Sequence, residues 1–375
     1  MERDSLVVVG LALLVALLVS GCSLLRIHAL KTGSYGKWRR IGERCILSLL
    51  MVTAITGGAS ATFNAVASHC YRAQHPPLGS LYVVDGYKMH LYCTGQGSPT
   101  IVLDAGLGND SLIWANVQPE LSKTTRTCSY DRAGFGWSDP QPGPRDADHI
   151  ADQLHKLLTQ AAITEPVVLM GHSIAGLYIR AYAARFPDSV SGLVFVDSST
   201  PLQEERLPVD PEDANWRVEL LELSWPYVLG IPRMMGQCTH EAGFSEAIGK
   251  MIAEDQCRPS LWRAIGREEE DFTQSGKETI HTGPFGDLPL LIFSEDTRQP
   301  SGSTSTEIEF ARIFNEMQES LKSLSTHSRR IIANGSSHYI QVDRPDVLNR
   351  NVPSMIRQIR GEVLQPNDYG STKVE

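Results

Sequence analysis

The sequence predicts an α/β domain, a mostly parallel eight-stranded sheet flanked by helices, joined to an apolar N-terminal anchor. Three observations predict it. Residues 80–200 alternate strand-like and helix-like segments at short spacing, the pattern of strands joined by helical crossovers. The alternation stops over 200–285 and resumes at 288, which marks an insertion. The first 69 residues hold two long uncharged runs. At 375 residues the chain exceeds one unit of roughly 150 residues, but an α/β domain with an insertion reaches this size. Apolar residues are 42% and charged residues 21%, which excludes a disordered or collagen-like chain.

The anchor comes first. Ser5–Leu25 and Cys45–Ser68 carry no charge, and a helix of about 20 apolar residues spans a bilayer core. The expected helices are about 5–25 and 45–68. Thr53, Thr56, Gly57, Gly58 and Ser60 dilute the second. The loop 26–44 holds six Lys/Arg against one Glu, and short basic loops stay cytoplasmic. The expected topology therefore puts the N-terminus and everything from about residue 70 outside. This makes a membrane protein with an extracytoplasmic domain. Val19-Ser20-Gly21-Cys22 also resembles a bacterial lipoprotein cleavage site, with Cys22 lipidated; that reading would put the basic loop outside. Residues 1–69 have seven Lys/Arg and three Asp/Glu, a net of +4; the other 27 Lys/Arg face 40 Asp/Glu, a net of −13. So acidic a body is a poor polyanion binder, and nucleic acid is not an expected partner.

The domain's elements follow in order. Leu81–Asp85 and Tyr87–Thr94 read as strands around an Asp85-Gly86 turn. Thr100–Asp104 is a buried strand and Asp110–Lys123 a helix. Arg126–Asp131 is a strand. Asp146–Ala161 is a helix, with Ile150, Leu154, Leu157 and Leu158 at helical spacing. Pro166–Met170 is a strand and Ile174–Phe186 a helix that Pro187 ends. Val190–Val196 is a strand. After the insertion come Leu288–Phe293, Glu307–Leu324, Arg330–Ala333 and Pro345–Arg360, in strand–helix alternation. The domain boundaries are 1–69 for the anchor, 80–199 and 286–362 for the core, 200–285 for a helical cap insertion, and 363–375 for a polar tail.

Val167-Val168-Leu169-Met170-Gly171-His172-Ser173-Ile174-Ala175-Gly176 runs a strand through Gly-x-Ser-x-small into a helix, the nucleophile elbow. Neighbouring side chains must be small there, and Ala175 fits where glycine is commoner. Ser173 is the candidate nucleophile, and the Ile174 N–H can face a developing oxyanion. At this point the chain resembles the α/β-hydrolase fold family over about residues 80–360, in a membrane-anchored bacterial type. Asp104-Ala105-Gly106-Leu107 takes the place of the family's oxyanion loop and keeps its glycine, which implies the Leu107 N–H as the second donor. Tyr130-Asp131-Arg132-Ala133-Gly134-Phe135-Gly136-Trp137-Ser138 looks like the family's Asp-x-x-Gly-x-Gly-x-Ser turn. It is read as structural, with Asp131 and Arg132 in local pairing.

The resemblance implies a histidine after the last strand, and His338 has that place. His172 is read as packing. The triad acid stays open. Asp296 and Glu295 follow the strand Leu288–Phe293, while Asp197 ends Val190–Val196, the strand from which haloalkane dehalogenases take theirs. In this fold the strands of Cys93 and Cys128 are neighbours, so those two can pair; Cys238 and Cys257 can close a loop inside the insertion. Cys70 is left over.

The expected function is a serine hydrolase cleaving a carboxylic ester, with a small acyl substrate and no metal or cofactor. An amidase or aminopeptidase of the same fold is an alternative. So is a catalytically silent hydrolase-like binding protein. Dehalogenase and epoxide hydrolase chemistry need a carboxylate where Ser173 stands. Trp216, Trp225, Trp262, Met234 and Met235 could line an apolar pocket.

Overall fold

The computed structural model describes residues 3–33, 35–208, 225–296 and 303–363. They divide into two compact units. One comprises Met1–Pro76, Val218–His240 and Ala253–Arg263; the other comprises Pro77–Arg217, Glu241–Ile252 and Ala264–Glu375.

In the first unit two helices, Arg3–Thr32 and Lys37–Gln74, pack side by side. Both are long and apolar enough to cross a membrane: Gly10–Lys31 and Lys37–Gln74 each contain an 18-residue stretch of high mean hydropathy, 2.1 and 1.7. Their backbones approach at Gly58, where an added Cβ would lie 3.3 Å from the Cβ of Ala16. Small residues permit such contacts between apolar helices. The second helix is longer than the 45–68 expected. It takes in the basic residues from Lys37 and runs on to Gln74, because no proline interrupts the chain before Pro76. Arg26 bonds Glu43 at 2.9 Å across the connecting turn.

The second unit is built on one eight-stranded sheet. Its strands are β1 (Ser80–Val84), β2 (Tyr87–Thr94), β3 (Ile101–Asp104), β4 (Thr127–Tyr130), β5 (Val167–His172), β6 (Val190–Val196), β7 (Leu290–Ser294) and β8 (Ser328–Ile332). Their order is β1-β2-β4-β3-β5-β6-β7-β8. Only β1–β2 and β2–β4 are antiparallel. Asp85 and Gly86 both have positive φ, 52° and 86°, as a two-residue type I′ hairpin turn requires. Side chains alternate across the sheet. Leu169, Leu193 and Phe195 enter one core, and Val168, Met170 and Val194 the other, the two-residue period of a strand with both faces covered.

Cys93 and Cys128 sit directly opposite each other on β2 and β4 and are disulfide-bonded. Cys238 and Cys257 form the second bond. Cys22, Cys45 and Cys70 are free.

Two expected helices of the second unit differ. Asp110–Lys123 is not one helix but a 3₁₀ turn, Ser111–Trp114, and a short helix, Gln118–Leu121. Pro119 explains the break, since it lacks the N–H that a continuous helix would bond to the carbonyl four residues earlier. The helix expected from Glu307 starts at Ser305. Thr304 and Glu307 form a reciprocal capping box that fixes the start. Within 200–285 the described residues form helices and turns, among them Glu246–Gln256, Pro259–Glu270 and Phe272–Thr279. Trp216 and the tail from residue 364 lie outside the described residues.

Candidate active site

β5, β6, β7 and β8 are parallel neighbours, so their C-terminal ends open along one edge of the sheet. Ligands of open α/β sheets bind along that edge. Every candidate residue follows one of these strands or β3.

Ser173 comes one residue after β5, at φ 55°, in the left-handed region that non-glycine residues rarely occupy. Such backbone costs about 1–3 kcal/mol and persists only where its surroundings hold it. Here the Ser173 N–H donates to Val196 O at 3.1 Å, and its carbonyl accepts from Gly176 N and Ser199 N at 2.9 and 2.8 Å. The flanking glycines have no room for a side chain. A Cβ on Gly171 would lie 2.8 Å from Ala175 O, and one on Gly176 would lie 2.4 Å from the Cβ of Ser198. The helix Ala175–Arg185 starts immediately.

His338 lies on the loop after β8. Its Nδ1 is 2.7 Å from Asp197 Oδ2. Asp197 follows β6 and is fully buried, also at positive φ, 43°. Its other oxygen accepts the Glu295 N–H at 2.9 Å. Of the three acids considered from the sequence, Asp197 is the one that meets the imidazole. Asp296 instead accepts the Gly335 N–H at 2.8 Å, tying the loop after β7 to the loop of His338. Burial alone would lower the His338 pKa. The hydrogen bond and charge of Asp197, with Glu295 behind it, outweigh burial and hold the pKa above the ordinary histidine value. Glu295 is pushed up to about 7, by burial first and then by the charge of Asp197, with His338 acting against both.

The loop after β3 reaches the same place. Gly106 packs on the elbow so closely that a Cβ there would lie 2.6 Å from His172 Nδ1 and 3.2 Å from the Cβ of Ser173. Arg132 holds this loop from the opposite side. Its guanidinium donates to Asp104 Oδ1 at 2.7 Å, to the Ala105 carbonyl and to the Gly106 carbonyl at 3.1 Å. In a trans peptide the C=O and the following N–H point in opposite directions. Fixing the Gly106 carbonyl on Arg132 therefore turns the Leu107 N–H away from Arg132. Among the described residues neither the Leu107 nor the Ile174 N–H has a protein acceptor.

Arg132 does not pair locally, as its place in the turn led us to expect. It makes a two-pronged ion pair, at 2.7 and 2.8 Å, with Glu268, 136 residues away and fully buried. Burial opposes the charge on Arg132, but Glu268 and Asp104 outweigh it and hold the pKa well above the ordinary value. Asp131 does serve the turn, accepting from Ser111 N and Trp137 N and meeting His90 Nδ1.

His172 has a part that sequence reasoning missed. It is buried, its Nε2 is 3.0 Å from the His338 carbonyl, and the two rings lie 4.6 Å apart. Burial and then the charge of His338 push its pKa well down, so the ring is neutral. The nitrogen facing a carbonyl must be the donor, which makes His172 a tether on the His338 backbone. Apart from its place beside Ser173, no sequence signal pointed there.

An elbow serine beside a histidine–carboxylate pair, at the C-terminal edge of a mostly parallel sheet, defines the hydrolase class of α/β proteins. A family model described as the α/β-hydrolase fold matches residues 99–223. That match covers about a third of the chain, and the fold of the second unit is the α/β-hydrolase fold. Among solved structures it is similar to an esterase of Thermogutta terrifontis, at 20% identity and a TM-score of 0.56, covering 75% of this chain and 98% of that one. It is also similar to an ancestral haloalkane dehalogenase, at 18% identity and a TM-score of 0.58, covering 75% and 99%. Among curated proteins it is 29% identical over 293 residues to a probable transporter of Hormonema carpetanum, covering 70% of this chain and 40% of that protein. The chain spans about two fifths of the length of the first curated relatives it matches.

Proposed function

We propose that the protein is a membrane-anchored serine hydrolase that cleaves carboxylic esters through Ser173, His338 and Asp197. The observation that carries this is the 2.7 Å contact of His338 Nδ1 with buried Asp197, on loops beside an elbow serine. Asp197 keeps the proton on Nδ1, leaving the Nε2 lone pair free to act as base. Ser173 Oγ attacks the acyl carbonyl as His338 takes its proton. The alkoxide that develops is held by the Leu107 and Ile174 amides. His338 then protonates the leaving alcohol, and water repeats the sequence on the acyl-enzyme. A serine at the elbow argues against dehalogenation despite the likeness to a dehalogenase.

The six cations of residues 26–44 favour a cytoplasmic side for that stretch and an outside position for the catalytic body. Two disulfides support an oxidising compartment. The activity is tested with a fluorophosphonate probe and a panel of esters of graded chain length. The native protein should be labelled and turn over ester, and Ser173→Ala should do neither. Undiminished turnover by purified Ser173→Ala protein overturns the assignment.

A further inference from the structure

We propose that residues 225–235 of the insertion are a membrane-interface element, seated at the headgroup level beside the second apolar helix. The inference rests on that helix spanning a bilayer, and it does not depend on the hydrolytic reading.

Depth follows from counting. The basic stretch ends at Arg44. A hydrocarbon core about 30 Å thick takes about 20 residues at a rise of about 1.5 Å each, so a span that starts at Cys45 leaves the core near Asn64. There the helix stops being lipid-like on one face. Ser60, Asn64 and Ser68, four residues apart, form a polar ladder on that face. Each rung holds the insertion. Ser60 Oγ donates to the Leu229 carbonyl and lies 3.7 Å from Met234 Sδ. Asn64 donates to Tyr227 O at 2.7 Å and accepts from Arg233 Nε at 2.8 Å. Ser68 Oγ accepts from Arg233 at 3.1 Å. Gly230, at φ 70°, packs so tightly on Asn64 that a Cβ would lie 2.6 Å from the Asn64 Cβ. The Cys238–Cys257 disulfide closes the segment just beyond.

The Arg233 side chain and the Tyr227 and Leu229 carbonyls of this segment are thus used on the helix. Arg233 also pairs with Glu254 at 2.7 Å. What remains outward is apolar: Trp225 is 54% exposed, Met234 62% and Met235 69%. On the same helix Ile55 and Phe63 are exposed at 51% and 58%, so the faces of the helix that the insertion leaves uncovered are apolar as well. Amphipathic elements with tryptophan and bulky apolar side chains lie about 5–10 Å into the headgroup–acyl boundary, and tryptophan is enriched at that level. The occupant of this surface is the lipid of the bilayer that the helix crosses.

The test is a depth measurement on the full chain in bilayers of equal parts phosphatidylcholine and phosphatidylglycerol. In a Cys22→Ser, Cys45→Ser, Cys70→Ser background, a fluorophore is attached through Met235→Cys, or through Ile55→Cys as a mid-core ruler. Cys70 is kept in a third protein as the aqueous ruler. Nitroxide lipids labelled near the headgroup or near the chain end serve as quenchers, with iodide as the aqueous one. Position 235 should be quenched most by the headgroup-proximal nitroxide, position 55 by the chain-end nitroxide, and Cys70 by iodide. Retained labelling by a fluorophosphonate reports that each variant is folded if the hydrolase reading holds, and circular dichroism reports it in either case. If position 235 follows Cys70 towards iodide, or responds to no quencher, the interface element is refuted. If position 55 escapes the chain-end nitroxide, the span itself fails and the proposal fails with it.

Discussion

Replacing Asp197 with asparagine keeps shape and removes one function. The carboxylate only accepts, Oδ2 from His338 Nδ1 at 2.7 Å and Oδ1 from the Glu295 N–H at 2.9 Å. A backbone N–H can only donate, so in the variant the amide oxygen must stay on Glu295 and the NH₂ must face Nδ1. Nδ1 then has to accept, and the imidazole proton moves to Nε2. The lone pair that should take the Ser173 proton is gone. A wrong-tautomer histidine of this kind costs on the order of 10⁴ in kcat, roughly 5 kcal/mol of barrier. Asp296→Asn is the internal control. Its oxygen accepts the Gly335 N–H at 2.8 Å, and an amide oxygen can do the same, so its loss in kcat should stay within about tenfold, or about 1.4 kcal/mol. Both variants are assayed by ester hydrolysis at saturating substrate, with circular dichroism to confirm folding. A large loss in Asp296→Asn together with a small one in Asp197→Asn refutes the reasoning.

Three further outcomes are expected. His338 acts as base only when neutral, so the acid limb of kcat/KM lies above the ordinary histidine value; Glu295, ionised above about 7, helps to hold it there. Glu295→Gln should move that limb to lower pH in a pH–rate profile, and movement to higher pH contradicts the assignment. Glu268→Ala leaves Arg132 buried with Asp104 as its remaining carboxylate. Breaking a buried pair costs about 3–5 kcal/mol, read as a lower unfolding midpoint, with a fall in kcat as the Leu107 loop loosens; an unchanged midpoint shows the pair to be dispensable. Alkaline phosphatase, active only after export, should work when fused after residue 75 and fail when fused near residue 35, and the reverse puts the catalytic body in the cytoplasm.

Much of the fold was legible because its signals are local. Apolar runs of strand length, alternating with periodic helices, announce a parallel sheet without any knowledge of which strands meet. The elbow is written into ten consecutive residues because one strained turn needs small neighbours on both sides. His338 could be placed by its position after the last strand. The uncharged runs and the basic loop between them are read directly from composition. The ends of elements were less legible, as at Pro119 and at the capping box before Ser305, where one residue's hydrogen-bonding capacity decides.

Tertiary structure alone decided the partners. Asp197 and His338 are 141 residues apart, and Asp296 stood nearer to His338 along the chain. Parallel pairing of β6, β7 and β8 brings the three loops together, and the register of β6 on β7 bonds Asp197 to the Glu295 N–H and leaves Asp296 on Gly335. Arg132 looked like a local turn residue until folding buried it against Glu268. Buried charges must find opposite charges wherever the chain brings them, and sequence distance carries no information about that. The polar face of the second helix is the same case. Ser60 read only as a dilution of the apolar span, and Asn64 and Ser68 gave no signal, until the insertion supplied their partners, because a polar group leaving lipid for protein is defined by what meets it.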